Sequence, residues 1–169
     1  MSRPARNHPT VGRLQFPGPT PKADTDVHLV VGYDAHEASH HALEVAADLG
    51  RRLHAQIDVV HAVDLSDYPI DPDQPDWEEH ARQALSDERR AVHTALTDHP
   101  WGWTYHAWRG DPVKLLTTVA DENDALLLVV GTRGYGPWAT LQRLVDGSVS
   151  HGLIGHQHRP VVVVPTAAV

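Results

Sequence analysis

Three groups of residues in this chain have types and spacings that could do chemistry. Asp34 follows the apolar run Val27–Tyr33 and offers a carboxylate able to accept hydrogen bonds from a base or a ribose. The loop Gly131-Thr132-Arg133-Gly134-Tyr135-Gly136 carries glycines that let the backbone approach a ligand closely. Gly147-Ser148-Val149-Ser150 reads as a helix start, where free N–H groups, a positive dipole end and two hydroxyls suit a phosphate. Together these point to a phosphate-bearing ligand. There is no Gly-x4-Gly-Lys-Ser/Thr sequence, so the loop is not of the Walker type, and its glycine spacing is not the dinucleotide fingerprint. A further motif, His36-Glu37-Ala38-Ser39-His40, matches the H-E-x-x-H helix of zinc proteases. Its extension is missing: Leu43 and Ala46 stand where the glycine and third histidine would fall, and after Glu44 the next glutamates are Glu78 and Glu79. A metalloprotease is therefore the minor alternative, and no metal ligand or catalytic residue is assigned. Asp67, Asp71, Asp73 and Asp76 are either loop acids that solvate a turn or carboxylates near enough to hold Mg²⁺.

The elements that position these residues follow from periodicity. Val27–Tyr33, Gln56–Val63, Ala125–Val130 and Val161–Val164 are short β-branched or continuously apolar runs, as expected of strands covered on both faces. Trp103–Arg109 alternates apolar and polar residues, which predicts a strand at a sheet edge with one face in water. Ala38, Ala42, Val45, Ala46, Leu49 and Leu53 fall at helical spacing, with Gly50 as a soft spot near the end. Residues 64–77 hold Pro69, Pro72 and Pro75 and read as an acidic loop. Trp77–His99 is a charged amphipathic helix stopped by Pro100. Asp111-Pro112 predicts an N-cap and first helical position. The order is βαβαβαβαβ: an α/β fold with an open five-stranded parallel sheet, helices on both faces and right-handed crossovers. Ligands of such sheets bind past the strands' carboxyl ends.

Composition narrows the function. The chain has 169 residues, 14 histidines, no cysteine, and 14 Lys+Arg against 22 Asp+Glu, a formal charge of −8. Disulfides, thiolate metal sites and cysteine nucleophiles are excluded. The negative balance argues against nucleic-acid binding, which relies on Lys and Arg to displace counterions. No apolar run approaches the roughly 20 residues of a membrane helix. Residues 1–26 hold Arg3, Arg6, Arg13 and Lys22 against Asp24 and Asp26, together with five of the 13 prolines. They read as a flexible basic arm ahead of a single domain at 27–169. The histidines, among them His151, His156 and His158, read mostly as exposed polar residues.

Val30-Val31-Gly32-Tyr33-Asp34, Gly110-Asp111-Pro112, Val129–Gly134, Gly147–Ser150 and Arg159–Pro165 together resemble the universal stress protein family over about residues 27–165. The resemblance implies a Rossmann-like fold of the adenine-nucleotide α-hydrolase-like type. It also implies a cytoplasmic regulatory homodimer in stress response that binds ATP, with Mg²⁺, and hydrolyses it slowly or not at all. Carried over by residue, Gly32, Tyr33 and Asp34 would meet the adenine or ribose, while Ala62 and Val130 flank the base. Gly131, Gly134, Gly147, Ser148 and Val149 would hold ribose and phosphates, while Arg133 reads either as a phosphate contact or as a solvated loop arginine. Two departures stand out. Gly134 and Gly147 are separated by 12 residues where the family's ATP-binding branch has 9, and the small pair after the aspartate is Ala35-His36. They keep a nucleotide-free interaction module of the same fold as the alternative. The four-valine strand Val161–Val164 would pair with its copy in a second subunit.

Overall fold

The computed structural model describes residues 13–63, 77–131 and 159–165. The elements run β1 (Leu14–Pro17), β2 (His28–Gly32), α1 (Glu37–Leu53), β3 (Gln56–Ala62), α2 (Trp77–Leu96), β4 (Trp103–Trp108), α3 (Pro112–Glu122), β5 (Leu127–Gly131) and β6 (Val161–Val164). The strands form one sheet in the order β1-β4-β3-β2-β5-β6. The five expected strands, β2 to β6, are parallel to their neighbours. β1 is an addition, antiparallel to β4, with Leu14 opposite Ala107 and Phe16 opposite Tyr105.

Two apolar layers sandwich the sheet. On one face Leu29, Val31, Ile57, Val59, Tyr105 and Val129 meet the buried stripes of α1 and α2. On the other, Val30, Val60, Ala62, Leu128 and Val130 meet Leu115, Leu116 and Val119 of α3. The alternation follows from the strand period of two, which sends successive side chains to opposite faces. α3 begins as expected: Asp111 accepts a hydrogen bond from the Lys114 N–H at 3.1 Å, and Pro112 fills the first turn. The Gly50 soft spot is instead a close contact. A Cβ there would stand 2.7 Å from Ile57 Cδ1 and 2.8 Å from His99 Cε1.

The arm expected to be flexible is structured from residue 13. Gly18 N–H donates to Trp103 O at 2.8 Å and Lys22 N–H to Pro100 O at 2.8 Å. Arg13 lies over the Trp108 ring, 4.6 Å from its centroid, and ion-pairs with Glu122 of α3. β1 therefore covers the edge of β4 that sequence periodicity placed next to water.

The polar residues of β4 face inward for a specific reason. Asp58, 1% exposed, sits between β2 and β4 and takes hydrogen bonds from both. His28 Nδ1 lies 2.7 Å from Asp58 Oδ2, and His106 Nε2 lies 3.0 Å from Oδ1. Arg13 Nη2 stands 3.0 Å from His106 Nδ1. A guanidinium only donates, so Nδ1 accepts, Nε2 carries the proton, and His106 is held neutral. On the other face His61 Nδ1 meets Glu88 Oε2 at 2.8 Å and the Tyr105 hydroxyl at 2.7 Å, tying α2 to the sheet. His61 and His106 are each 3% exposed and His99 is 8%, so three histidines are interior, while His36, His40, His41, His54 and His93 are exposed as expected.

Two consequences can be measured. Burial alone would raise the Asp58 pKa, but the hydrogen bonds from His106 and His28 outweigh it and hold the carboxyl below its usual 3.8. A lowered folded-state value means stability that is present above the unfolded value and is lost as pH falls through the folded one. Asp58→Asn should cost about 2–3 kcal/mol at pH 7, with the gap to the parent closing below about pH 4 in thermal melts. At Gly131 a Cβ would stand 2.5 Å from Ala38 O and 2.7 Å from Ala38 C, which are backbone atoms. Gly131→Ala should lower stability by about 1–3 kcal/mol, read as a fall in the urea midpoint at constant slope.

Candidate functional site

Strand order fixes where a crevice can open. From β2 the chain proceeds to β3 and β4 on one side, then returns to place β5 and β6 on the other. α1 leaves β2 on one face of the sheet and α3 leads into β5 on the other, so the carboxyl ends of β2 and β5 lie side by side where the strand order reverses. Gly32, Tyr33 and Asp34 stand at the end of β2, and Val130 and Gly131 at the end of β5.

Asp34 is held by a small backbone device. Ala35 adopts φ 62°, the left-handed region that favours glycine, and turns the chain sharply into α1. The turn brings the His36 N–H to Asp34 Oδ1 at 3.1 Å. Ser39, buried in the first turn of α1, accepts from the Asp34 N–H at 3.2 Å and donates to His36 O at 2.9 Å. Asp34 Oδ2 has no hydrogen-bond partner among the described residues. One carboxylate oxygen is thus used to orient the group, and the other is left to accept from a ligand. Sequence reading overlooked Ser39. Its signal was the hydroxyl three residues past the start position His36, where a polar side chain reaches back to the helix cap.

The other expected site residues separate into distinct settings. Tyr33 continues the ladder through its N–H to Val60 O at 2.9 Å, but its ring is fully buried. It packs edge-on to His40 at 5.2 Å. Burial first, then the charges of Glu88 and Asp34, push its hydroxyl pKa far above the ordinary 10.0, so it stays protonated. The ring is a core residue, and only the Tyr33 backbone is near the crevice. Ala62 and Val130 end β3 and β5 on the α3 face, both buried, with β2 between them. Gly131 is a place of close approach, but the backbone it admits is Ala38 of α1. Arg133, Gly134, Gly147, Ser148 and Val149, and the four loop aspartates, lie outside the described residues.

The H-E-x-x-H residues do not act as a metal cradle. His36 Nδ1 lies 3.0 Å from Asp34 O, while the His40 ring faces Tyr33. Among the described residues no three His, Asp or Glu side chains are grouped to hold a metal. No described helix is long and apolar enough to cross a membrane.

Known proteins share this architecture. The model of the universal stress protein family matches residues 28–165. A universal stress protein of Mycobacterium tuberculosis, Rv2623, is 33% identical over 143 residues, covering 80% of this chain and 46% of that protein. The chain thus spans about half the length of that relative. The structure of a universal stress protein in complex with cAMP aligns at a TM-score of 0.55 with 23% identity, over 83% of this chain and 98% of the other. That of the universal stress protein from Archaeoglobus fulgidus in complex with dAMP aligns at 0.50 with 20% identity, over 81% and 96%. Five parallel strands in this order, an aspartate closing the first of them and a family match over nearly the whole sheet place the chain in the universal stress protein family.

Proposed function

We propose that the chain binds an adenine nucleotide, ATP, at the β2–β5 crevice and acts as a regulatory homodimer in stress response, with slow or no hydrolysis. The observation that carries this is Asp34: a carboxylate pinned through Oδ1 at the switch point of a parallel sheet, with Oδ2 open. A ribose or adenine donor would meet Oδ2, and the Ser148 hydroxyl and the N–H groups of Gly147-Ser148-Val149 would take the phosphates. Two relatives of the same fold were solved with cAMP and with dAMP, and both ligands pair an adenine with a phosphate. Mg²⁺ would accompany the phosphates, with the aspartates at 67, 71, 73 and 76 as its nearest candidates in sequence.

The dimer rests on β6. It ends the sheet, and Val161 is 51% exposed. An apolar strand with an open edge pairs readily with its own copy about a twofold axis. The cytoplasm is the expected compartment.

Mass spectrometry of the purified protein should find ATP, and added ATP with Mg²⁺ should raise the melting temperature. Asp34→Ala should weaken ATP roughly tenfold to a hundredfold, the worth of one hydrogen bond to a charged group. No bound nucleotide and no thermal shift would instead establish the nucleotide-free module, to which the longer Gly134–Gly147 spacing points. Light scattering at micromolar concentration should give twice the chain mass, falling to the single-chain value in Val161→Lys.

A further inference from the structure

The opposite edge of the sheet carries a second surface. Between β1 and α2 run two adjoining cavities of about 310 and 370 Å³, both lined by Phe16, Ser86 and Arg89. Among the described residues nothing covers the groove along α2 from Arg82 to His93, roughly 16 Å at 1.5 Å per residue. Its floor is apolar, with Leu14, Phe16, Leu85 and Tyr105, and Leu14 is 46% exposed. Its charged residues are of one sign. Arg82, Arg89 and Arg90 line it, and among the described residues no aspartate or glutamate does. In a chain with 22 acidic residues against 14 Lys+Arg, that is a local reversal of the overall charge.

Arg89 is the centre of this reversal. Its guanidinium lies over the Phe16 ring, 4.4 Å from the centroid, and no carboxylate pairs with it among the described residues. Arg90, by contrast, ion-pairs with Asp87 at 3.3 Å. Stacking uses the face of the guanidinium and leaves its N–H donors, which lie in the plane, directed outward. A cation held flat on an aromatic floor beside an exposed leucine suits a carboxylate flanked by an apolar side chain.

We propose that this groove docks an acidic peptide segment of a partner protein, one that alternates or clusters carboxylates with apolar side chains. The apolar residues would cover Leu14 and Leu85, and a carboxylate would meet Arg89. The long open shape fits a peptide better than an enclosed small molecule. Pro17 lacks an N–H on β1, which limits strand addition at that edge, so capture rests on side chains. The nucleotide site is at the β2–β5 boundary, and this surface is independent of it.

The test uses the full chain and a short fluorescein-labelled peptide of alternating leucine and aspartate, with a leucine–lysine peptide as control, read by anisotropy. The acidic peptide should bind, more weakly as salt rises, and the basic one should not. Arg89→Glu and Leu14→Asp, both at solvent-accessible positions, should each weaken binding at least tenfold with circular dichroism unchanged. Equal binding of the two peptides, or an affinity indifferent to Arg89→Glu, would overturn the proposal. So would self-association that Arg89→Glu abolishes without any peptide binding, since a second copy would then be the occupant.

Discussion

A carboxylate removed from water must be given hydrogen bonds or lose its charge, and Asp58 meets that demand by drawing on both neighbouring strands. His28 comes from β2 and His106 from β4. The requirement then propagates. His106 can donate to Asp58 and stay neutral only if its other nitrogen accepts, and Arg13 provides that donor. Arg13 is itself kept in place by Trp108 and by Glu122 on α3. One buried charge thus links β1, β2, β3, β4 and a helix through a single chain of donors and acceptors.

The other end of the sheet is organised by sterics. Gly131 has no Cβ, so α1 can bring the carbonyl of Ala38 against the end of β5. That contact sets the start of α1 at the switch point, and Ala35 and Ser39 then orient Asp34 there. The polar network is buried within the sheet on the α3 face, whereas Asp34 lies beyond the end of β2, which separates what ties the strands together from what can meet a ligand. A site built this way can be altered at Asp34 without disturbing the Asp58 network.

Much of this was legible in sequence because it rests on local chemistry. Asp111-Pro112 announces its cap, and the continuous valine and leucine runs announce buried strands. β1 was illegible for the opposite reason. Leu-Gln-Phe-Pro offers only two apolar residues in four, among several prolines, and what makes it a strand is distant: the Trp103 carbonyl, the Tyr105 ring and the His106 nitrogen. His106 misled for a related reason. Alternation in β4 implies water on the polar face, unless a partner charge waits there, and Asp58 lies 48 residues away in sequence. The aspartate at 34 was readable as a carboxylate just past a strand end, but the ring of Tyr33 next to it belongs to the core, and only packing could separate the two.

If β6 pairs with its copy and the β1–α2 groove takes an acidic peptide, as proposed, the two edges of the sheet keep homotypic and heterotypic contacts apart. β6 is four valines with no charge of its own, so the surface it best complements is its own copy. β1 is short, ends in proline and is flanked by Arg13 on one face and Arg89 on the other. Two such edges facing each other would bring arginines together, and like charges at close range are repulsive. A basic edge therefore resists self-pairing while remaining open to an acidic partner. Since β1 also carries the terminal link of the Asp58 network, the feature that closes the sheet on this side is the same one that gives the groove its floor and sign.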